Sequence, residues 1–372
     1  MKTIRRLIYG EVAVTTGFVL LSFLSLFFFF DFLEELTSLG RPSRIDPNAT
    51  YELRHAFLYV ALLLPSRIYE LLPICVLIGT VAVMARLAQS SEYTILRTSG
   101  LGPWRALHTL LGVGLTFAVL TFAVGDYLAP VTDKTAQLLK ASFHGRISVG
   151  QTGAWLKERQ GSSNFSVNVG SLSPEGGLSD VRIFEFDEKG RIRSSLEAVS
   201  GHIGADETWL LNQVQVRKFE GADTQSRRVI RTDTESYRWP SSITTEMVSV
   251  ALLKPERMRT TDLFAYIRHL EANDQTALRY EIEFWRKVFY PLSCLVMVVL
   301  ALPFAYLHFR TSGITGYVFG GVMIGISFFL LNNVFGYVGN LNQWEPWVAA
   351  AAPAMIYSVV SLAAFGWLVL RR

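Results

Sequence analysis

Long apolar runs dominate both ends of the chain, and a longer polar segment divides them into two groups of three. A bilayer core about 30 Å thick requires roughly 20 apolar residues in a helix, so runs of that length predict membrane spans. The runs that qualify are Ile8 to Phe32, Ile68 to Leu87, Trp104 to Ala129, Val288 to Leu307, Gly316 to Val338 and Trp347 to Leu370. Ahead of the second run, we expect Ala56 to Leu64 to form an interfacial helix that turns into the span, because Pro65 and Arg67 interrupt the apolar pattern.

The polar middle of the chain changes its period and reads as β-structure. Stretches such as Asn164 to Leu172, Val181 to Phe186 and Leu210 to Phe219 mix β-branched and aromatic residues with polar ones, and turn residues separate them. Short strands without intervening helical patterns favour a sandwich or jelly roll. A helical period returns after Thr260, with Leu263, Tyr266, Ile267 and Leu270 on one face.

The predicted fold is therefore an α-helical polytopic membrane protein with six transmembrane helices and an inserted all-β, jelly-roll-like domain. Its predicted parts are helices 1–3 at 1–130, with a short helix at about 89–100, the β-domain at 131–257, a helical connector at 258–285, and helices 4–6 at 286–372.

Composition agrees with a membrane protein and argues against several other classes. The 372 residues are 50% hydrophobic and 18% charged, whereas soluble domains carry about 25% charged residues. The net charge is only +4, and no basic block with interleaved aromatics is present, so nucleic acid is not expected as a partner. The two cysteines, Cys75 and Cys294, lie within apolar runs, so neither a metal site nor a disulfide scaffold is expected.

The distribution of Lys and Arg predicts the orientation of the spans, because cytoplasmic loops are enriched in them. With the N-terminus inside, the cytoplasmic segments hold Lys2, Arg5, Arg6, Arg97, Arg105, Arg310, Arg371 and Arg372. The outward turn from Gly339 to Pro346 has neither residue type. Both termini are therefore expected in the cytoplasm, and the β-domain on the opposite side.

Catalytic motifs are missing from the sequence. It contains no GxxxxGK[ST], HExxH or GxSxG pattern, and the predicted spans are nearly free of ionisable residues, with Asp126 near the outer end of the third. An enzyme is therefore the weaker hypothesis, and a permease moved by a partner is favoured.

The inner loop from Gln89 to Gly100 is the candidate contact with such a partner. It predicts a short cytoplasmic helix between two spans, with a serine cap at its start and a glycine at its end. The candidate coupling residues are Ser91, Glu92, Arg97 and Gly100. An ordinary amphipathic loop with solvated charges remains the alternative.

Motifs along nearly the whole chain resemble those of the LptF/LptG permease family. The matches are Ser91, Glu92, Ser99 and Gly100 in the inner loop, Pro65 and Pro73, Ala129 and Pro130, Gly153, Trp155, Asn164 and Phe165, then Arg279, Tyr280, Trp285, Lys287, Phe289, Pro291 and Leu292, and finally Phe335, Gly336, Pro346 and Pro353. Their common order and compatible spacing make the resemblance specific. It favours the LptG-type subunit, with the paralogous LptF role as the alternative.

The resemblance implies a non-enzymatic subunit of an ABC transporter in the bacterial inner membrane. An LptF-type permease would pair with it around a cavity, an LptB-type ATPase dimer would bind beneath, and an LptC-type bitopic protein would join on the periplasmic side. Lipopolysaccharide would enter from the outer leaflet and move to a periplasmic bridge toward the outer membrane. ATP and Mg²⁺ would be used by the ATPase, with no cofactor bound by this chain. A membrane-anchored periplasmic scaffold without transport activity is the rival from another class.

A lipid path needs apolar walls, because exposing acyl chains to water costs about 0.8 kcal/mol per CH₂. The candidate wall residues are Phe27, Phe30, Leu71, Leu72, Phe328 and Phe329, although residues of this type usually face lipid or neighbouring helices.

Lipid phosphates need cations at the outer rim. The candidates are Arg67, Lys140 and Lys134, with interfacial snorkelling as the alternative role. At the end of the first span, Asp31 stands where the family has a basic residue, and Glu34 and Glu35 follow. An acid there repels phosphate unless a divalent cation bridges the two.

Overall fold

The computed structural model describes residues 2–42, 50–90, 92–98, 100, 102–144, 153–161, 163–173, 176–187, 189–204, 208–220, 228–245, 247–248, 255–273, 275–306 and 314–367. The chain forms two compact units. The helical unit comprises Met1–Glu34, Val60–Thr132 and Leu278–Arg372, and the β-unit comprises Glu35–Tyr59 and Asp133–Ala277.

Ten α-helices lie in the described parts of the chain. They are α1 (Lys2–Glu35), α2 (Leu53–Gln89), α3 (Glu92–Thr98), α4 (Pro103–Ala123), α5 (Ala129–His144), α6 (Thr260–Ala272), α7 (Leu278–Phe289), α8 (Ser293–Ala301), α9 (Ile314–Leu341) and α10 (Pro346–Phe365). A π-helical segment, Val124–Leu128, joins α4 to α5, and a 3₁₀ turn, Tyr290–Leu292, joins α7 to α8.

Six stretches of the described chain are long and apolar enough to cross a membrane, as the sequence predicted. They are Arg5–Ser38, Leu53–Gln89, Pro103–Lys140, Leu278–Ala305, Thr315–Leu341 and Pro346–Phe365. Residues 368–370, the end of the sixth predicted span, lie outside the described residues.

Three helix boundaries differ from the expected ones. The expected interfacial helix before Pro65 and the second span form a single helix, because α2 is continuous through Pro65 and Pro73. Proline is tolerated in membrane helices, where neighbouring groups satisfy the backbone that it frees. Helix α5 continues to His144, and the first described strand begins at Ala154. The fourth span starts at Leu278, ahead of the predicted Val288, because charged side chains of α7 find partners inside the helical unit.

The first half of α1 packs tightly on α2. Ile8, Val12 and Thr16 are fully buried at four-residue spacing, as one face of a helix requires. At Gly79 of α2, an added Cβ would lie 2.4 Å from the Thr16 Oγ1 atom and 2.8 Å from its backbone nitrogen. Only glycine permits this crossing. The second half of α1 instead exposes large apolar side chains, including Phe29 and Phe30.

The β-unit is built on one six-stranded antiparallel sheet. Its strands are β1 (Ala154–Gln160), β2 (Ser163–Leu172), β3 (Gly177–Phe186), β4 (Ile192–Ile203), β5 (Thr208–Glu220) and β6 (Arg228–Pro240). They pair strictly in chain order, as a meander. The predicted fold class, a helical membrane protein with an inserted all-β domain, is confirmed. The Greek-key crossings of a strict jelly roll do not occur among these described strands.

Alternating apolar residues form the buried face of the sheet. Leu156 of β1 pairs with Val167, which pairs with Ile183, which pairs with Leu196, and all four are buried. The predicted apolar face of α6 is also confirmed, since Leu263, Tyr266, Ile267 and Leu270 are buried. The backbone N–H of Arg159 donates to Asn273 Oδ1 over 3.1 Å and ties β1 to the end of α6.

Candidate functional site

Arg67 of α2, one of the predicted phosphate ligands, is held by two carboxylates. Its Nε and Nη2 atoms lie 3.2 and 3.1 Å from the two oxygens of Asp31, and Nη1 lies 3.4 Å from Glu70 Oε2. The guanidinium carbon is 5.2 Å from the centre of the Phe27 ring, within the range of a cation–π contact. The side chain remains 31% exposed, so a ligand can reach it.

Lys140 of α5 is engaged within the β-unit. Its Nζ atom lies 2.8 Å from Glu35 Oε2 and 4.6 Å from the centre of the Tyr59 ring. The Tyr51 hydroxyl donates to the other Glu35 oxygen over 3.1 Å. Burial, together with the Glu35 charge, raises the pKa of Tyr51 well above its usual value. Since Glu35 is almost fully buried, we assign Lys140 a structural role.

Lys134, the third predicted cation, is exposed and forms no ion pair with another described residue. Of the three candidates, Arg67 alone lies in the helical unit, where Asp31, Glu70 and the Phe27 ring surround its guanidinium.

The six candidate wall residues divide into two groups. Leu72 and Phe328 are only 1% exposed and belong to buried clusters of the helical unit, and Leu71 is also buried. These three side chains are packed inside the chain itself. Phe30 and Phe329 are exposed, and Phe27 is half-buried beside Arg67.

Helix α3, in the predicted coupling loop, has one anchored face and one free face. Tyr93 is buried, with its ring centre 5.2 Å from that of Tyr306, and Leu96 packs against the same apolar cluster. Glu92 and Ile95, one helical turn apart, point outward, and Ile95 is 65% exposed. Because successive residues turn by roughly 100° around a helix, the two pairs lie on adjacent faces of this short helix.

A glycine and one side-chain hydrogen bond define the end of the loop around α3. Gly100 has a φ of 103°, a conformation that favours glycine, and its carbonyl accepts a hydrogen bond of 3.0 Å from Arg105 Nη1. Arg97 lies within α3, whereas Ser91 and Ser99 lie outside the described residues. An ion pair between Arg86 of α2 and Glu11 of α1 joins two helix ends at this end of the unit.

Charged residues of α7 form a buried polar region that the sequence analysis missed. Lys287 is 5% exposed, and its Nζ atom donates over 3.3 Å to the carbonyl of Gly125 in the π-helical segment. Arg286 donates to Glu283 over 2.7 Å. The prediction started the fourth span at Val288 and left these residues outside. The mixture of charged and aromatic residues from Leu278 to Phe289 was the sequence feature that could have indicated this polar region.

No group of three or more His, Cys, Asp or Glu side chains that could hold a metal ion occurs within the described ranges. The candidate site therefore consists of the Arg67 guanidinium shared by Asp31 and Glu70, the exposed apolar surface of α1 and the anchored helix α3.

Comparison with known proteins gives a consistent result along the whole chain. The family model described as "Lipopolysaccharide export system permease LptF/LptG" matches residues 6–370. The lipopolysaccharide export system permease protein LptG of Escherichia coli K12 is 26% identical over 370 residues, which cover 99% of this chain and 98% of that protein. LptG of Haemophilus influenzae is 25% identical over 344 residues, which cover 92% and 90% of the two chains.

Proposed function

The chain belongs to the LptF/LptG family of lipopolysaccharide export system permeases, and we propose that it is the LptG-type subunit, which moves lipopolysaccharide out of the inner membrane by using ATP hydrolysis in a partner. In this proposal an LptF-type permease, an LptB-type ATPase dimer and an LptC-type protein complete the complex. Both termini and α3 face the cytoplasm, and the β-unit faces the periplasm.

The anchored α3 helix is the observation that best supports coupling to a partner. Tyr93 lies in one buried cluster with Met84 and Leu87 of α2, Leu110 of α4 and Val298 of α8. Because such a cluster is close-packed, a displacement of Tyr93 must displace the neighbouring helices as well. The exposed Glu92 and Ile95 supply the charged and apolar contacts that a partner surface can hold.

The exposed half of α1 supports a lipid as the transported molecule. Apolar side chains such as Phe29 and Phe30 face away from the chain's own core and offer acyl chains a surface that avoids exposure to water. Arg67 lies beside Phe27 at the same part of α1, so a cation for a headgroup phosphate adjoins an apolar wall. An amphipathic lipid needs this combination.

Charge reversal at Glu92 tests the coupling. We expect Glu92→Arg to weaken co-purification of the ATPase with the chain and to reduce ATP-driven lipopolysaccharide release from proteoliposomes by about tenfold or more. If Glu92 pairs with a basic residue of the ATPase, the new arginine places like charges together at the interface, which costs several kcal/mol. Glu271→Arg is the matched control, since Glu271 is an exposed acid at the end of α6, in the β-unit.

Normal ATP-driven release by Glu92→Arg would contradict the coupling role of α3. If lipopolysaccharide is never released, even by the wild-type complex with its ATPase, the scaffold reading gains support instead. A complex in which this chain pairs with an LptG-type subunit would favour the LptF role.

A further inference from the structure

The ion pair between Asp31 and Arg67 occupies the atoms that would receive a phosphate. Two neighbouring guanidinium nitrogens, Nε and Nη2, each donate to a different oxygen of Asp31. This two-pronged geometry is the one by which arginine recognises carboxylate and phosphate groups. The third nitrogen donates to Glu70, so each nitrogen of the guanidinium already donates to an acid of the same chain.

The charges of this group are not balanced. One guanidinium faces two carboxylates, so Asp31, Arg67 and Glu70 together carry a net charge of −1 when ionised. Asp31 and Arg67 are both less than a third exposed, so water screens them only in part. A phosphate that approaches meets a site that is already neutralised and negative in sum.

We propose that Asp31 is a displaceable counter-anion of Arg67 and determines how strongly this site takes a phosphate monoester. This inference rests on the proposed function, in which a phosphorylated lipid passes the end of α1. On binding, the phosphate replaces the Asp31 carboxylate on Nε and Nη2, and Asp31 is released without any covalent change. The released carboxylate then lies near the bound phosphate.

Two neighbouring anions favour uptake of a cation. Carboxylate and phosphate oxygens are the ligands that Mg²⁺ and Ca²⁺ prefer, so phosphate binding at Arg67 is expected to strengthen with divalent cation. Without Asp31, the site keeps the Arg67 guanidinium but loses the carboxylate that competes with phosphate for Nε and Nη2. It also loses one of the carboxylates that would bind the divalent cation. The selectivity of the site therefore depends on a residue that competes with the substrate.

Binding of fluorescent lipid A to the full-length chain, with its co-purifying subunits in nanodiscs, tests this. The probes are lipid A with both phosphates and the same lipid without them, each with and without Mg²⁺, and inorganic phosphate is the competitor. Without Mg²⁺, Asp31→Asn should bind phosphorylated lipid about threefold to tenfold more tightly, as removal of a partly exposed competing ion pair implies. Its affinity should also become less sensitive to Mg²⁺, because one of the two carboxylates at the site is gone.

Three further variants complete the test. Arg67→Gln should abolish the preference for phosphorylated over dephosphorylated lipid. Glu70→Gln, which removes the carboxylate 3.4 Å from Nη1, should change affinity in the same direction as Asp31→Asn but less. Glu52→Gln is the control, because Glu52 forms an exposed pair with Arg54 and should leave every affinity unchanged.

Weaker binding of phosphorylated lipid by both Asp31→Asn and Glu70→Gln would overturn the proposal, because the acids would then orient Arg67 instead of competing for it. Unchanged affinity in Asp31→Asn, with lipid preference lost in Arg67→Gln, would also overturn it and leave the proposed function intact. If the wild-type chain binds neither lipid, both the role of Asp31 and the proposed function are contradicted. Competition by inorganic phosphate alone would identify a free anion as the ligand and overturn the lipid assignment.

Discussion

Replacing Lys140 with methionine separates a structural role from a ligand role. The change keeps the apolar stem that lies over Tyr59 and removes the ammonium 2.8 Å from Glu35. Glu35 would then remain buried at 4% exposure, with the Tyr51 hydroxyl still donating to it. Breaking a fully buried pair costs about 3–5 kcal/mol. Since the Lys140 side chain is 36% exposed, we expect a smaller loss of about 2 kcal/mol.

Thermal unfolding of the full-length chain in detergent measures this loss. The double variant Lys140→Met with Glu35→Gln should recover at least half of it, because the glutamine leaves no unpaired charge. A double-mutant cycle should therefore give a coupling of about 1 kcal/mol or more between the two positions. Hydrogen exchange should increase near Glu35 and Tyr51, where the contacts are lost.

The lipid A binding assay supplies the second readout. Lys140→Met should keep its preference for phosphorylated lipid A, because the Lys140 ammonium is already held by Glu35. Unchanged stability combined with a lost phosphate preference would refute the structural role and restore Lys140 as a phosphate ligand.

Other variants test the packing, the pH dependence and the buried lysine. Gly79→Leu should lower stability by at least about 1–3 kcal/mol, measured by thermal unfolding, because even a Cβ meets the Thr16 backbone. Burial lowers the pKa of His269 below its usual 6.5, so the imidazole takes up a proton more readily in the unfolded chain than in the folded one. The free energy of unfolding of the β-unit should therefore decrease as pH falls below about 6.5. His269→Gln should make this decrease smaller. Lys287→Met should destabilise the chain by about 1.5–3 kcal/mol, the value of a hydrogen bond from a charged group, whereas Lys287→Arg should lose less.

The spans were predictable from sequence because the bilayer imposes a length on each apolar run. The β-domain was predictable because stretches such as Asn164 to Leu172 mix β-branched and aromatic residues with polar ones and are bounded by turn residues. The buried face of α6 followed from the spacing of Leu263, Tyr266, Ile267 and Leu270. These are local patterns, and local patterns fix which residues face inward.

Pairings between distant residues were not predictable from such patterns. Asp31 and Arg67 are 36 positions apart, and Glu35 and Lys140 are 105 apart. Both cations were therefore candidates for phosphate or for snorkelling, because nothing near them in the sequence indicated that a distant acid of the same chain holds them. The burial of Lys287 was not predictable for the same reason. Its hydrogen-bond partner, the carbonyl of Gly125, lies in the π-helical segment between α4 and α5, and Gly125 is far from Lys287 in the sequence.

The anchored face of α3 was only partly predictable from sequence. Its helical span and terminal glycine could be predicted, whereas the burial of Tyr93 against Tyr306 required the fold, since more than two hundred residues separate the rings. That burial changes the loop from a solvated segment into an extension of the helical core.

The central claim is that this chain exports lipopolysaccharide with energy from a separate ATPase. Isolation of the intact complex from its native membrane, with identification of every subunit and bound lipid, tests it most directly. We predict that a soluble ATPase, a second permease of the same family and lipid A are recovered together with this chain. Recovery of the chain with neither an ATPase nor lipid A would contradict the account.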